Sequence, residues 1–128
     1  MSEPTTYEEF WPEYVRAHQN PINRALHVVG SLTGAALALR GALSLRPRRV
    51  LKGFAVGYAF AWVGHFVFEG NKPASFGHPL WSFRGDWEML YRIFTGSMDA
   101  ELAKHTAAPT EPVSTTTDGA ISPDIAVN

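Results

Sequence analysis

The chain has 128 residues, a length that suits one domain and leaves little room for a second. A net charge of -1 gives no electrostatic reason to expect nucleic acid as a partner. The absence of cysteine excludes disulfides, thiolate metal sites and cysteine nucleophiles, so ligand and acid–base chemistry falls to five histidines and twelve acids.

Tyr7 to His18 has Phe10, Trp11, Tyr14 and Val15 on one face and Glu8, Glu9 and Glu13 mostly on another, which predicts a helix. Pro4 with Thr5 or Thr6 are its start signals, and the acids sit near the positive end of the helix dipole. This acidic, aromatic opening lacks the basic-then-apolar order of a secretory signal, so none is expected. Asn20-Pro21 then breaks the chain: Pro21 cannot continue the first helix but suits the first turn of a second, with Asn20 as its cap.

The second helix is predicted from Pro21 to about Leu45. Val28 to Leu39 is apolar or small on every side, and Gly30 and Gly34 form a small-xxx-small pair that permits close helix approach. A helix apolar all round lies in a deep core or a membrane. Burial on every side is hard to reach in so short a chain without a partner, which favours the membrane over the core of a soluble oligomer. Arg46-Pro47-Arg48-Arg49 forms the turn, and a third helix runs from about Val50 to Glu69 with Gly53, Gly57 and Gly64 as small positions. Each rod of about twenty residues is roughly 30 Å long, near the thickness of bilayer hydrocarbon. Arg40 to Lys52 carries five positive residues and no acid, which suits the cytoplasmic side or anionic headgroups.

Residues 70–79 form a loop by their glycine and proline content. Trp81 to Phe94 follows as an amphipathic helix, in which tryptophan and tyrosine alternate with charge as at a membrane interface. The expected fold is therefore all-α: a small bundle around a central antiparallel transmembrane hairpin, flanked by amphipathic helices. Residues 1–104 make one domain, and the Thr, Pro, Ser and Ala composition of 105–128 predicts a disordered tail.

An antiparallel hairpin has a consequence for chemistry. His27 would lie about two turns inside the start of the second helix and His65 about one turn before the end of the third. His18 ends the first helix at that same pole, so three imidazoles can converge without a long loop. Glu69 follows His65 by four residues and Asn23 precedes His27 by four, so each shares its histidine's face. A carboxylate so placed completes a metal shell or orients an imidazole, and the donor set suits iron, zinc, copper or manganese. Arg24 and Lys72 fall at this end too, either to bind a substrate carboxylate or to snorkel to the interface. His78 is read as a hydrogen-bonded core residue and His105 as solvated. No phosphate-cradling loop, dinucleotide fingerprint or Gly-x-Ser-x-Gly elbow is present.

The spacing His18-x-Asn20-Pro21-x-Asn23-x-x-x-His27, with His65-x-x-x-Glu69 and then Pro73-Ala74, resembles the 2-hydroxy fatty acid dioxygenase family. These are the yeast-type fatty acid α-oxidation enzyme and its bacterial relatives, long listed as a domain of unknown function. The resemblance covers roughly residues 10–86. It implies a membrane-embedded enzyme that uses iron(II) and dioxygen to shorten a 2-hydroxy fatty acid by one carbon, releasing carbon dioxide. Carried onto this chain, it implies His18, His27 and His65 as iron ligands, with Glu69 as a fourth ligand or a supporting group and Asn23 as support. The Phe76, Pro79, Trp81-Ser82 and Asp86 run looks like the bacterial branch, where the location would be the inner membrane; a eukaryotic member would sit in the endoplasmic reticulum. The substrate hydroxyl and carboxylate would chelate iron while the alkyl chain lies along the apolar hairpin. A zinc-dependent lipid hydrolase and a non-enzymatic integral membrane protein are the alternatives, and a homo-oligomer stays open.

Overall fold

Two side-chain caps set the first helices. In the computed structural model, which describes residues 2–107, α1 spans Tyr7–Arg16 and α2 spans Pro21–Leu43. The Thr6 hydroxyl accepts from the Glu9 amide at 3.2 Å, and the Asn20 side-chain oxygen accepts from the Ile22 amide at 2.8 Å. Pro21 occupies the first helical turn, where a missing N–H costs nothing.

After the basic turn, α3 spans Pro47–Val63 and runs on into a π-helical turn over Gly64–Glu69. A short 3-10 turn at Ala74–Phe76 leads to α4, Pro79–Thr95, and α5, Met98–Thr106. No strand occurs among the described residues. The composition had not marked α5 as a separate helix. It forms because Gly96, at φ 77, ends α4 and lets the Ser97 amide reach back to the Arg92 carbonyl at 2.8 Å. Asp99 and Glu101 in its first turn and Lys104 and His105 in its last then complement the dipole. His105 is thus helical, 3.1 Å from Glu101. The remainder of the expected tail, 108–128, lies outside the described residues.

Glycine brings α2 and α3 into backbone contact. A Cβ built on Gly34 would stand 2.6 Å from the Gly53 carbonyl oxygen, and one on Gly53 would stand 2.5 Å from that of Gly34. The hairpin is closed by a cap in which the Arg46 amide donates to the Gly41 carbonyl (2.8 Å) and the Leu45 amide to that of Ala42 (3.0 Å). This cap puts Leu45 at φ 51, left-handed backbone that costs a residue with a Cβ about 1–2 kcal/mol. Leu45 is 90% exposed and has little packing to lose. Leu45→Gly is therefore expected to stabilise the protein by about 1 kcal/mol, read as a rise in its thermal midpoint in detergent.

Hydrophobic residues divide into two populations. Tyr7, Phe10, Trp11, Tyr14 and Val15 of α1 pack with Met89 of α4 and Met98 of α5 into a buried aromatic core. The hairpin instead turns its large side chains outward: Leu32, Leu39, Leu43, Leu51 and Val67 are all exposed. The stretches Pro21–Leu43 and Pro47–Glu69 are each 23 residues long and apolar enough to cross a membrane, and only 22% of each apolar window is buried. Outward leucines of this number form an apolar surface of the kind that lipid or a partner chain covers.

Candidate metal centre

Three chain segments deliver one imidazole each to a single point. His18 hangs from the end of α1, fixed by stacking on Tyr14 one turn earlier at 4.0 Å between ring centroids. His27 projects from the second turn of α2, and His65 from the π-helical turn that ends the hairpin. The His18 and His65 centroids are 4.5 Å apart, those of His18 and His27 4.7 Å, and those of His27 and His65 5.0 Å. All three rings are at least 97% buried.

The outer nitrogen of each ring fixes its tautomer. His18 Nδ1 faces the Tyr14 carbonyl at 2.6 Å, His27 Nδ1 the Asn23 carbonyl at 2.9 Å, and His65 Nδ1 the Asn71 side-chain oxygen at 2.7 Å. Each partner only accepts, so each Nδ1 carries a hydrogen and each Nε2 presents a lone pair. The orientation of Asn71 is set in turn, because its amide nitrogen donates to the Ala17 carbonyl at 3.0 Å. Gly70 supplies the turn that makes this possible, at φ 74.

The Nε2 atoms of His18 and His27 stand 3.3 Å apart, and one ligand atom from each of the three rings lies within 4.8 Å of the others. Lone pairs so close repel unless a cation lies between them. A tetrahedral ion with bonds of about 2.0–2.1 Å would separate neighbouring nitrogens by roughly 3.3 Å, so the donor set fits a divalent transition metal. Burial, then the neighbouring imidazoles, hold His18 well below the ordinary histidine range, so no proton need be expelled before a metal enters.

Of the two roles expected for Glu69, ligand or support, the geometry favours support. Glu69 turns away from the ring nitrogens. Its oxygens accept from the backbone amides of Gln19 at 3.0 Å and Asn20 at 2.9 Å, and from the Asn23 side-chain amide at 3.1 Å. It ties the α1–α2 turn to the end of the hairpin, a supporting position rather than a ligand position. Asp86 of α4, which the spacing argument did not single out for the site, is the carboxylate that faces the cluster, 3.9 Å from His27 Nε2. Its Oδ1 accepts a short hydrogen bond from the Tyr14 hydroxyl. Burial lifts the Asp86 carboxyl from 3.8 to about 6, partly offset by that bond, while burial and Asp86 together hold the Tyr14 phenol well above its usual range.

The other polar residues expected at the site also have different partners. The Arg24 guanidinium donates to the carbonyls of His18 (2.8 Å) and Gln19 (2.6 Å), and so braces the turn that carries His18. Asn23 spends its amide on Glu69, and its oxygen packs against Gly64, where a Cβ would collide with it. Lys72 is exposed. His78 stays out of the cluster, but it is half-buried and stacked on Trp81 at 4.6 Å rather than the hydrogen-bonded core residue expected. Besides Asp86, sequence reasoning missed Ser82, buried at 6% exposure, its hydroxyl without a partner, lining the same small cavity as the imidazoles and Asp86. Its position four residues before Asp86 was the available signal.

Compared with protein-family models, residues 4–98 match the family described as 2-hydroxy-palmitic acid dioxygenase Mpo1-like. No curated protein and no solved structure matches.

Proposed function

The chain belongs to the 2-hydroxy-palmitic acid dioxygenase Mpo1-like family, and from that premise we propose that it is an iron(II)-dependent enzyme that shortens 2-hydroxy fatty acids by one carbon. One observation carries the reading: three neutral imidazoles aim their Nε2 lone pairs at one another in a buried pocket. The reaction converts a 2-hydroxy acid and dioxygen into a carboxylic acid one carbon shorter, carbon dioxide and water. When bound, iron(II) supplies the electron source and the template for dioxygen.

The chain's own residues do the rest. His18, His27 and His65 hold the ion, and Tyr14, Asn23 and Asn71 hold the rings in the tautomer that leaves Nε2 free. Asp86, with the Tyr14 phenol as its donor, keeps an acceptor beside His27 and can take the proton of a substrate hydroxyl. Ser82 offers the cavity's unspent donor to a substrate carboxylate. Ser82→Ala is therefore expected to raise KM for the 2-hydroxy acid about tenfold with little change in kcat.

The outward leucines of α2 and α3 face lipid, with Arg46, Arg48 and Arg49 at the headgroups of the opposite pole. A reacting headgroup then meets the ion at a bilayer surface while its alkyl tail stays in hydrocarbon. The deciding experiment is product analysis after anaerobic purification, iron(II) loading and addition of oxygen with a 2-hydroxy acid. A product one carbon shorter, lost on chelation and restored by iron(II), is expected. Zinc-restored hydrolysis of a lipid ester without oxygen uptake would overturn the reading.

A further inference from the structure

We propose that the groove between the glycine face of the hairpin and α4 holds the substrate's alkyl chain, and that Gly57 sets how much of that chain it accepts. The proposal rests on the 2-hydroxy acid reading above and deepens it. The groove has a volume of about 280 Å³ and an almost wholly apolar lining. Its floor is small, with Gly34, Gly53 and Gly57 leaving backbone where side chains would otherwise stand. Phe83 and Trp87 of α4 flank it, their rings 6.3 Å apart, and Phe54 approaches Phe83 at the same distance.

Its occupant is indicated by where it leads. Tyr58, Ala61, Phe83 and Asp86 line both this groove and the imidazole cavity, so the two form one path from the cluster outward. From Ala61 to Gly53 the path follows eight residues of helix, or about 12 Å. A molecule filling both must be polar at one end, to meet Asp86 and Ser82, and a slender apolar rod beyond it. A single alkyl chain bearing a hydroxy acid head has that shape. A bilayer lipid brings two such rods on one head, whereas the groove and cavity form a single path.

Gly57 is the position at which this can be tested without breaking the hairpin. A Cβ there meets only the Gly30 carbonyl oxygen, at an ordinary 3.6 Å, whereas one on Gly34 or Gly53 would strike backbone within 2.6 Å. Replacing this glycine also favours the helix. A Cβ at this position is thus accommodated, and Gly57→Leu is the variant chosen to narrow the groove that Gly57 lines.

The experiment uses the full chain in phosphatidylcholine nanodiscs and a long 2-hydroxy fatty acid with a diazirine at its terminal carbon. Photo-crosslinks are mapped by mass spectrometry in the wild type and in Gly57→Leu, with turnover of short and long acids measured in parallel. Expected are wild-type crosslinks to Phe54, Phe83 or Trp87 and their loss in the variant. Long-acid kcat/KM should fall about fourfold for each methylene displaced, and short-acid kcat/KM by less. Crosslinks only to the outward residues Leu32 and Leu51, or a pattern indifferent to Gly57→Leu, would overturn the groove assignment. Because crosslinking needs no turnover, failure of the oxygenase reading shows separately as a wild type that labels in the groove yet consumes no acid.

Discussion

His27→Ala is expected to leave a folded protein that retains no stoichiometric metal and turns over 2-hydroxy acid at least about a thousandfold more slowly. The side chain is 3% exposed and points at the other two rings, so its removal takes one of three ligand nitrogens and leaves a small polar void. Changes one step out from a metal already cost about 10- to 100-fold in affinity, and loss of a ligand costs more. The same logic orders a series. Asn71→Ala frees the His65 ring and removes the tie to Ala17, so metal affinity should fall by about 10- to 100-fold with the three histidines intact. His78→Ala removes a ring stacked on Trp81 outside the cluster, so metal content should hold. Metal analysis of the three purified variants in nanodiscs, alongside turnover, reads the order directly. Equal metal content in wild type and His27→Ala would remove the centre proposed here.

What the sequence made legible follows from where local rules were sufficient. The start at Thr5 or Thr6, the Asn20 cap, the Pro21 start and the basic turn are decided by residues within a few positions of one another, and the structure has them, with Thr6 as the first cap. The meeting of His18, His27 and His65 was legible because helix rise alone fixes depth in an antiparallel hairpin. Two features were not. Counting by four put Glu69 on the face of His65, as a ligand or a supporting group, and could not choose between them; Gly64–Glu69 winds as a π-helical turn, which widens each backbone ring by one residue. In the folded chain the His65 ring meets the imidazoles while Glu69 meets the α1–α2 turn. Asp86 was hidden for the opposite reason. On a helix with charges around it, nothing local separates a solvated aspartate from one that Tyr14, seventy-two positions away, draws inward.

That division of labour between the two carboxylates yields a second large effect, with opposite signs for the two residues. Glu69→Gln replaces an acceptor of two backbone amides and the Asn23 side chain with an amide that can serve only part of them. Charge-assisted bonds of this kind contribute about 1.5–3 kcal/mol, so thermal stability should drop while the three ligands, and the metal they hold, remain. Asp86→Asn keeps an oxygen for the Tyr14 hydroxyl but removes a charge that burial disfavours. Its metal-free protein should be more stable than the metal-free wild type, and its kcat about a hundredfold lower for want of a base. The sign can be checked against pH. A carboxyl raised from 3.8 to about 6 binds more protons folded than unfolded in that interval, so the wild type loses stability as pH rises through it. The asparagine variant lacks this titration. The stability gap between Asp86→Asn and wild type, measured without metal by denaturant titration, should therefore open from near pH 4 to above pH 6 and reach about 2–3 kcal/mol. A gap that is flat with pH, or a Glu69→Gln variant that loses metal while Asp86→Asn keeps full activity, would return the site carboxylate to Glu69.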